Sequence, residues 1–156
     1  MTSTSCKVTS TRKTASGKWN FGDDSAPGGY YRLFRDIREW LPKNVVLCSE
    51  GATTMDIGGT QMPLDNPRSY LNAGSYGTMG VGLGLVVASC VVHPDRPVVH
   101  ISGDSAIGFS GMEMETLCRY NMPAKIVVMN NGGIGPGMPE KPIAESPEIW
   151  TTGRLG

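Results

Sequence analysis

The sequence predicts an α/β fold: a parallel sheet with helices on both faces. Two observations predict it. Short apolar runs alternate with segments of helical period, and those runs are continuous rather than alternating polar and apolar. A strand buried on both faces reads as a continuous run, which is the mark of a sheet covered above and below. A third observation locates the function. Each run ends in glycine beside a polar residue, and in open parallel sheets ligands bind off the carboxyl ends of the strands.

The elements follow in order. Residues 1–29, "MTSTSCKVTSTRKTASGKWN" and its continuation, are rich in Ser, Thr and Lys with no acid before Asp23. They are expected to form a disordered leader. A mitochondrial transit peptide fits that composition, although its apolar face is poor. From Tyr30, "YYRLFRDIREWLP" puts Tyr31, Phe34, Ile37 and Trp40 or Leu41 on one helical face, and Pro42 stops it. "NVVLCSEGA" is a buried strand entering a glycine turn, and "DNPRSYLNAGSYGTMG" is a loop. "MGVGLGLVVASCVVHP" is a helix packed through small residues. "PVVHISGDS" is a strand, "GMEMETLCRYNMP" a helix and "AKIVVMNNGG" a strand. Residues 136–156 carry four prolines without a period and read as an irregular tail. The expected domain is therefore 30–135.

Composition excludes several classes. Fourteen basic residues balance fourteen acidic ones, so nothing favours a nucleic-acid surface. No apolar run reaches the length of about 18 residues that a membrane span needs. The four cysteines lack metal-site spacing and read as buried thiols of a reduced compartment. A cytoplasmic location is expected, with a peroxisomal or mitochondrial one open in a eukaryote.

The chemistry gathers at Gly103-Asp104-Ser105 and Asn130-Asn131. An Asp after a strand is ordinarily a helix cap. Asn131 occupies the corresponding turn of the next strand, however. A carboxylate, an amide carbonyl and a backbone carbonyl together suit Mg²⁺ or Ca²⁺, and Mg²⁺ with few protein ligands completes its shell with phosphate oxygens and water. A helix starting at that turn offers amides to the same phosphates. The competing phosphate motif, "GVGLG", lacks the GxGxxG spacing and reads instead as a small-residue packing face. His100 lies within a strand and reads as a core histidine. Glu50 stands alone at a strand end, which is thin support for a general base. Met112 and Met114 read as core fillers.

The string Gly103-Asp104-Ser105, followed by 24 residues and Asn130-Asn131, resembles the GDG…NN motif of thiamine-diphosphate enzymes, with Ser for the last Gly. "SEGATTMDIGGT", "LNAGSYGTMGVGLG", "GDSAIGFSGMEMETLCRYNMP" and "NNGGI" are similar to the pyrophosphate-binding domain of oxalyl-CoA decarboxylases and 2-hydroxyacyl-CoA lyases. The resemblance covers roughly residues 30–134. It implies that Asp104, Asn131 and the carbonyl of Gly133 bind Mg²⁺. It further implies that Ser105 and Ala106 meet the diphosphate, that Met79 wedges the cofactor into its bent shape, and that Gly77 accepts from the aminopyrimidine. Gly103, Thr78 and Ile134 complete the expected cofactor contacts. Tyr76 and Thr53 stand where the family often has Phe and Asn.

The family's activating glutamate lies on a separate pyrimidine-binding domain, so no catalytic residue is expected in this chain. The resemblance implies a lyase cleaving or decarboxylating oxalyl-CoA or a 2-hydroxyacyl-CoA, inactive as the chain stands. The acyl-CoA would bind only to a complete enzyme, formed as a homo-oligomer or with a partner chain carrying the pyrimidine domain. The alternative expectation is a non-catalytic remnant, or one chain of a split enzyme, because the matching domain is cut short between two unrelated ends.

Overall fold

The computed structural model of the chain describes residues 8–12, 29–62 and 64–135. The described strands are β1 (Val8–Arg12), β2 (Val46–Glu50), β3 (Tyr70–Leu71), β4 (Val98–Gly103) and β5 (Ala124–Asn130). The helices are α1 (Tyr30–Trp40), α2 (Ala52–Gln61), α3 (Gly82–Val92), α4 (Asp104–Ser110) and α5 (Glu113–Arg119). The strands form one sheet in the order β1-β5-β4-β2-β3, parallel throughout. The predicted fold class is the observed one.

Alternate residues of the strands feed two cores. Leu47, Val99, Ile101 and Met129 pack beneath α1 and α2 with Phe34, Ile37 and Ile57. Val46, Cys48, Val98, Ile126 and Val128 pack on the other face with Leu83, Val86 and Cys90 of α3 and Leu117 of α5. Both faces being covered is why the strands read as unbroken apolar runs.

The chain runs from β2 through α2 out to the edge strand β3. It then returns through α3 to β4, on the other side of β2. The order therefore reverses between β2 and β4, and such a reversal opens a crevice at the carboxyl ends. At the amino ends Arg96 ties three segments together. Its Nε donates to Asn44 O at 2.8 Å, and its Nη2 donates to Val45 O at 3.1 Å and to Ser69 Oγ at 2.6 Å.

Several local expectations need correction. Within the leader, Val8–Arg12 forms β1, paired in parallel with β5; Val and Thr favour extended backbone. Residues 136–156, the expected irregular tail, lie outside the described residues, as does Cys6. The buried face of α1 is Tyr30, Phe34 and Ile37, while Trp40 is 65% exposed. Phe34 and Ile37 are the expected ones, Leu41 rather than Trp40 packs against the core, and Tyr30 is buried more deeply than Tyr31, which packs at its edge.

The segment after Gly51 is helix α2 and not merely a turn. Its Gly58 sits where a Cβ would meet the Tyr70 hydroxyl at 3.0 Å and the Phe34 ring at 3.4 Å. The helix expected over residues 111–123 is α5, and the helix start expected at the turn after β4 is the separate short helix α4. Met112, expected as a core filler, is exposed, whereas Met114 packs against the second core. Of the cysteines, Cys48 and Cys90 are buried and Cys118 is exposed. No helix among the described residues is long and apolar enough to cross a membrane.

Candidate functional site

A cavity of about 150 Å³ opens at the carboxyl ends of β2, β4 and β5. The turn after β2 contributes Gly51 and residues Ala52, Thr53 and Thr54 of α2. The turn before α3 contributes Gly77 and Met79. Gly103, Asp104, Ser105 and Ala106 come from the β4–α4 junction, and Asn131, Gly133, Ile134 and Gly135 from the turn after β5. Tyr30 closes one side from the start of α1. Of the ten residues expected from the sequence, nine line this one cavity. Thr78 is exposed and lies off its wall.

The backbone explains why the turns can converge. Gly51 adopts φ +95°, and a Cβ there would sit 3.4 Å from both Ala106 Cβ and the Gly103 nitrogen. Only glycine meets both conditions without strain, so the β2 and β4 turns come together tightly.

Asp104 is the first residue of α4 rather than its cap; Gly103 is the cap and has no side chain to offer. The carboxylate instead bridges two turns. Oδ1 accepts from the Ser105 N–H at 2.8 Å and Oδ2 from the Gly132 N–H at 3.0 Å. Asn130 Oδ1 also accepts from Gly132 N–H, at 2.9 Å. Asn131 donates through Nδ2 to Gly135 O at 2.7 Å, which fixes its amide orientation.

Two polar atoms in this wall, Asn131 Oδ1 and Ser105 Oγ, are buried with no partner. A buried acceptor without a donor is destabilising by about 1–3 kcal/mol unless something satisfies it. A cation beside Asp104 would satisfy Asn131 Oδ1, and a ligand acceptor would satisfy the Ser105 hydroxyl. No group of three or more His, Cys, Asp or Glu that could hold a metal ion occurs among the described residues. One carboxylate with amide and backbone oxygens therefore suits a hard cation that draws its other ligands from a phosphate and water.

Tyr30 was missed by the sequence reading, since Tyr31 filled the same apolar stripe. It is 8% exposed. Burial, helped by the charge of Asp104, pushes its phenol up to about 12, so it stays protonated.

Beneath the Met79 turn lies a second polar cluster, outside the cavity wall. Glu50 ends β2, fully buried. Its Oε1 accepts from the N–H of Gly80 and, at 2.9 Å, from that of Val81. His100 of β4, also fully buried, holds Nδ1 at 3.2 Å from Cys48 O. A carbonyl only accepts, so Nδ1 carries the proton. Burial pushes His100 down to about 4, against a smaller opposing effect of that hydrogen bond. The ring is therefore neutral at pH 7, and its 3.9 Å approach to Glu50 Oε2 is not a salt bridge.

A stability effect follows. Above about pH 6.5 both folded and unfolded chains leave this imidazole neutral. As pH falls below that value, the unfolded chain takes up the proton and the folded one does not. Stability should drop by about 1.4 kcal/mol per pH unit, about 3 kcal/mol by pH 4. Urea unfolding between pH 7 and 4.5 measures it, with His100→Gln expected to flatten the slope. An equal slope in both proteins would remove His100 as the cause.

Residues 56–137 match the family model described as thiamine pyrophosphate enzyme, C-terminal TPP binding domain. The chain is 51% identical over 117 residues to 2-hydroxyacyl-CoA lyase 1 of Mus musculus, covering 72% of this chain and 20% of that protein. It is 44% identical over 113 residues to oxalyl-CoA decarboxylase of Escherichia coli K12, covering 71% and 20%. Among solved structures, the thiamine diphosphate-dependent 4-hydroxybenzoylformate decarboxylase of Rhodococcus jostii RHA1 superposes with a TM-score of 0.60 at 29% identity, over 65% of this chain and 19% of that one. The chain spans about a fifth of the length of the curated relatives it matches.

Proposed function

The chain belongs to the thiamine pyrophosphate enzyme family through its C-terminal cofactor-binding domain, and from that membership we propose that it holds the diphosphate half of the cofactor through Mg²⁺. The observation that carries this reading is the meeting of Asp104 and the unpartnered Asn131 Oδ1 at the ends of adjacent strands, in one cavity. Asp104 supplies the single charged ligand and Asn131 a neutral one. The Gly133 carbonyl is the third donor.

The Ser105 hydroxyl and the α4 amides beyond Ser105 would meet the diphosphate oxygens, since the first N–H groups of a helix have no partner within it; the Ser105 N–H is taken by Asp104 Oδ1. Gly51 keeps the two turns close enough for one ligand to touch both. When bound, the cofactor supplies a carbon nucleophile and an electron sink; the residues of this chain bind and orient it. Asp104 is the sole carboxylate among the described residues of the cavity wall, and in this reading it serves the metal. The family resemblance implies that the proton-transfer glutamate belongs to a pyrimidine-binding domain, so the described domain binds and orients the cofactor rather than supplying that proton transfer. In the complete enzyme the reaction is cleavage or decarboxylation of a 2-hydroxyacyl-CoA or oxalyl-CoA, with that domain supplied by a second copy or by a partner chain.

Calorimetric titration of thiamine diphosphate into the purified chain, with and without Mg²⁺, tests the binding reading. Binding that requires Mg²⁺ is the expected result. No binding, or equal binding in the presence of chelator, refutes it.

A further inference from the structure

The Glu50 cluster has no place in the reading above. A fully buried carboxylate is unfavourable unless it is hydrogen-bonded, and packing alone would be served by an apolar side chain of similar volume. What Glu50 holds is specific. Its Oε1 takes the N–H groups of Gly80 and Val81, the two residues directly after Met79. Met79 lines the cavity.

The segment around Met79 has little else to fix it. Residues 74–78 are all exposed, and Gly74, Gly77 and Gly80 take φ values of +58°, +60° and +93°. The bonds Gly74 N–H to Asn72 Oδ1 (2.8 Å) and Gly77 N–H to Gly74 O (3.2 Å) close the segment on itself without reaching the sheet. On its far side Gly80 leans on α4, where a Cβ would lie 3.3 Å from Phe109 Cβ. Val81 precedes the first turn of α3, so the Glu50 oxygen also faces the positive end of that helix.

We propose that Glu50 is a positioning residue, clamping the Gly80-Val81 backbone so that Met79 is held in the cofactor cavity before any ligand arrives. The proposal rests on the reading of that cavity as a thiamine-diphosphate site only for the ligand used in one arm of its test.

The test uses the full chain labelled with methyl-¹³C methionine, the Met79 signal being assigned by its loss in Met79→Ala. The ligand-free protein should show one narrow Met79 line away from the position of flexible methionine. In Glu50→Leu that line moves to the flexible position, and thiamine diphosphate binds about ten-fold more weakly in the presence of Mg²⁺. Glu50→Gln restores both, because its amide oxygen still accepts the two N–H groups and its nitrogen can donate to His100 Nε2. Adding Glu50→Leu to Met79→Ala brings no further loss of affinity.

An unmoved Met79 line in Glu50→Leu overturns the proposal, as does its release in folded Glu50→Gln. Should Glu50→Leu not fold, Val81→Pro decides. It deletes one donor and leaves Glu50 in place; a released methyl supports the clamp and an unmoved one refutes it. If the unaltered chain binds no thiamine diphosphate, the binding reading fails while the ligand-free methyl comparison still decides this one.

Discussion

Asp104→Ala is expected to abolish Mg²⁺-dependent binding of thiamine diphosphate, with a loss of at least about 100-fold in affinity. Three observations set the size. Asp104 is the only carboxylate among the described residues of the cavity, the turn it bridges carries Asn131, and Asn131 Oδ1 has no partner of its own. A neutral cavity leaves a divalent ion to amide and carbonyl oxygens alone, too weak a set to displace its water. The substitution also removes acceptors from the Ser105 and Gly132 N–H groups. Together these lost bonds reduce stability by about 2 kcal/mol. A melting curve therefore accompanies the calorimetry. Asp104→Asn separates the effects, since it keeps the side-chain volume and loses the charge. Undiminished binding in a folded Asp104→Asn protein would sink the metal assignment.

The second large effect lies in α3, at two glycines that look alike in "GVGLG". A Cβ on Gly82 would sit 2.5 Å from Glu50 Oε2, 2.5 Å from His100 Cε1 and 3.0 Å from Glu50 Cβ. Both neighbours are fully buried and hydrogen-bonded, so neither can move aside cheaply. Gly82→Ala should reduce stability by about 3 kcal/mol. Gly84 is exposed, and a Cβ there meets nothing within 4 Å. Gly84→Ala should raise stability by about 0.5–1 kcal/mol through helix propensity. The difference in urea midpoint between the two variants reads both at once, and equal midpoints would mean that α3 does not sit on Glu50 and His100 this closely.

The contrast between those glycines shows where sequence reading stops. The small-residue face of α3 was legible, because "GVGLG" lacked the spacing and setting of a phosphate loop. Which glycine was indispensable was not, since Glu50 and His100 lie 32 and 18 residues away along the chain. β2, β4 and β5 were legible because strands buried on both faces leave unbroken apolar runs. Asp104 and Asn131 stood out because both follow such runs.

Helix α2 was not legible. "ATTMDIGGTQ" carries two glycines and no clear apolar stripe, and its helicity comes from packing on Phe34 and Tyr70 rather than from propensity. The break between α4 and α5 falls within a stretch of good helical period, and Met112 turns outward there. Tyr30 was hidden by its neighbour, since positions 30, 34 and 37 fit a helical stripe as well as 31, 34 and 37 do. The role of Glu50 could not be seen, because its partners are backbone N–H groups 30 residues on, and an amide has no sequence signature.

The two hydrogen bonds on Asp104 and the one on the Asn131 amide have a kinetic consequence. In the proposed reading, the two side chains that would serve as ligands are locked in place before a cation arrives, so no rotamer search precedes capture. The slow step of association then belongs to the ion, in shedding its own water, which Mg²⁺ does reluctantly. A divalent ion of similar charge that exchanges water faster, such as Mn²⁺, should load sooner into the same cradle, at a rate set by its hydration and not by the protein.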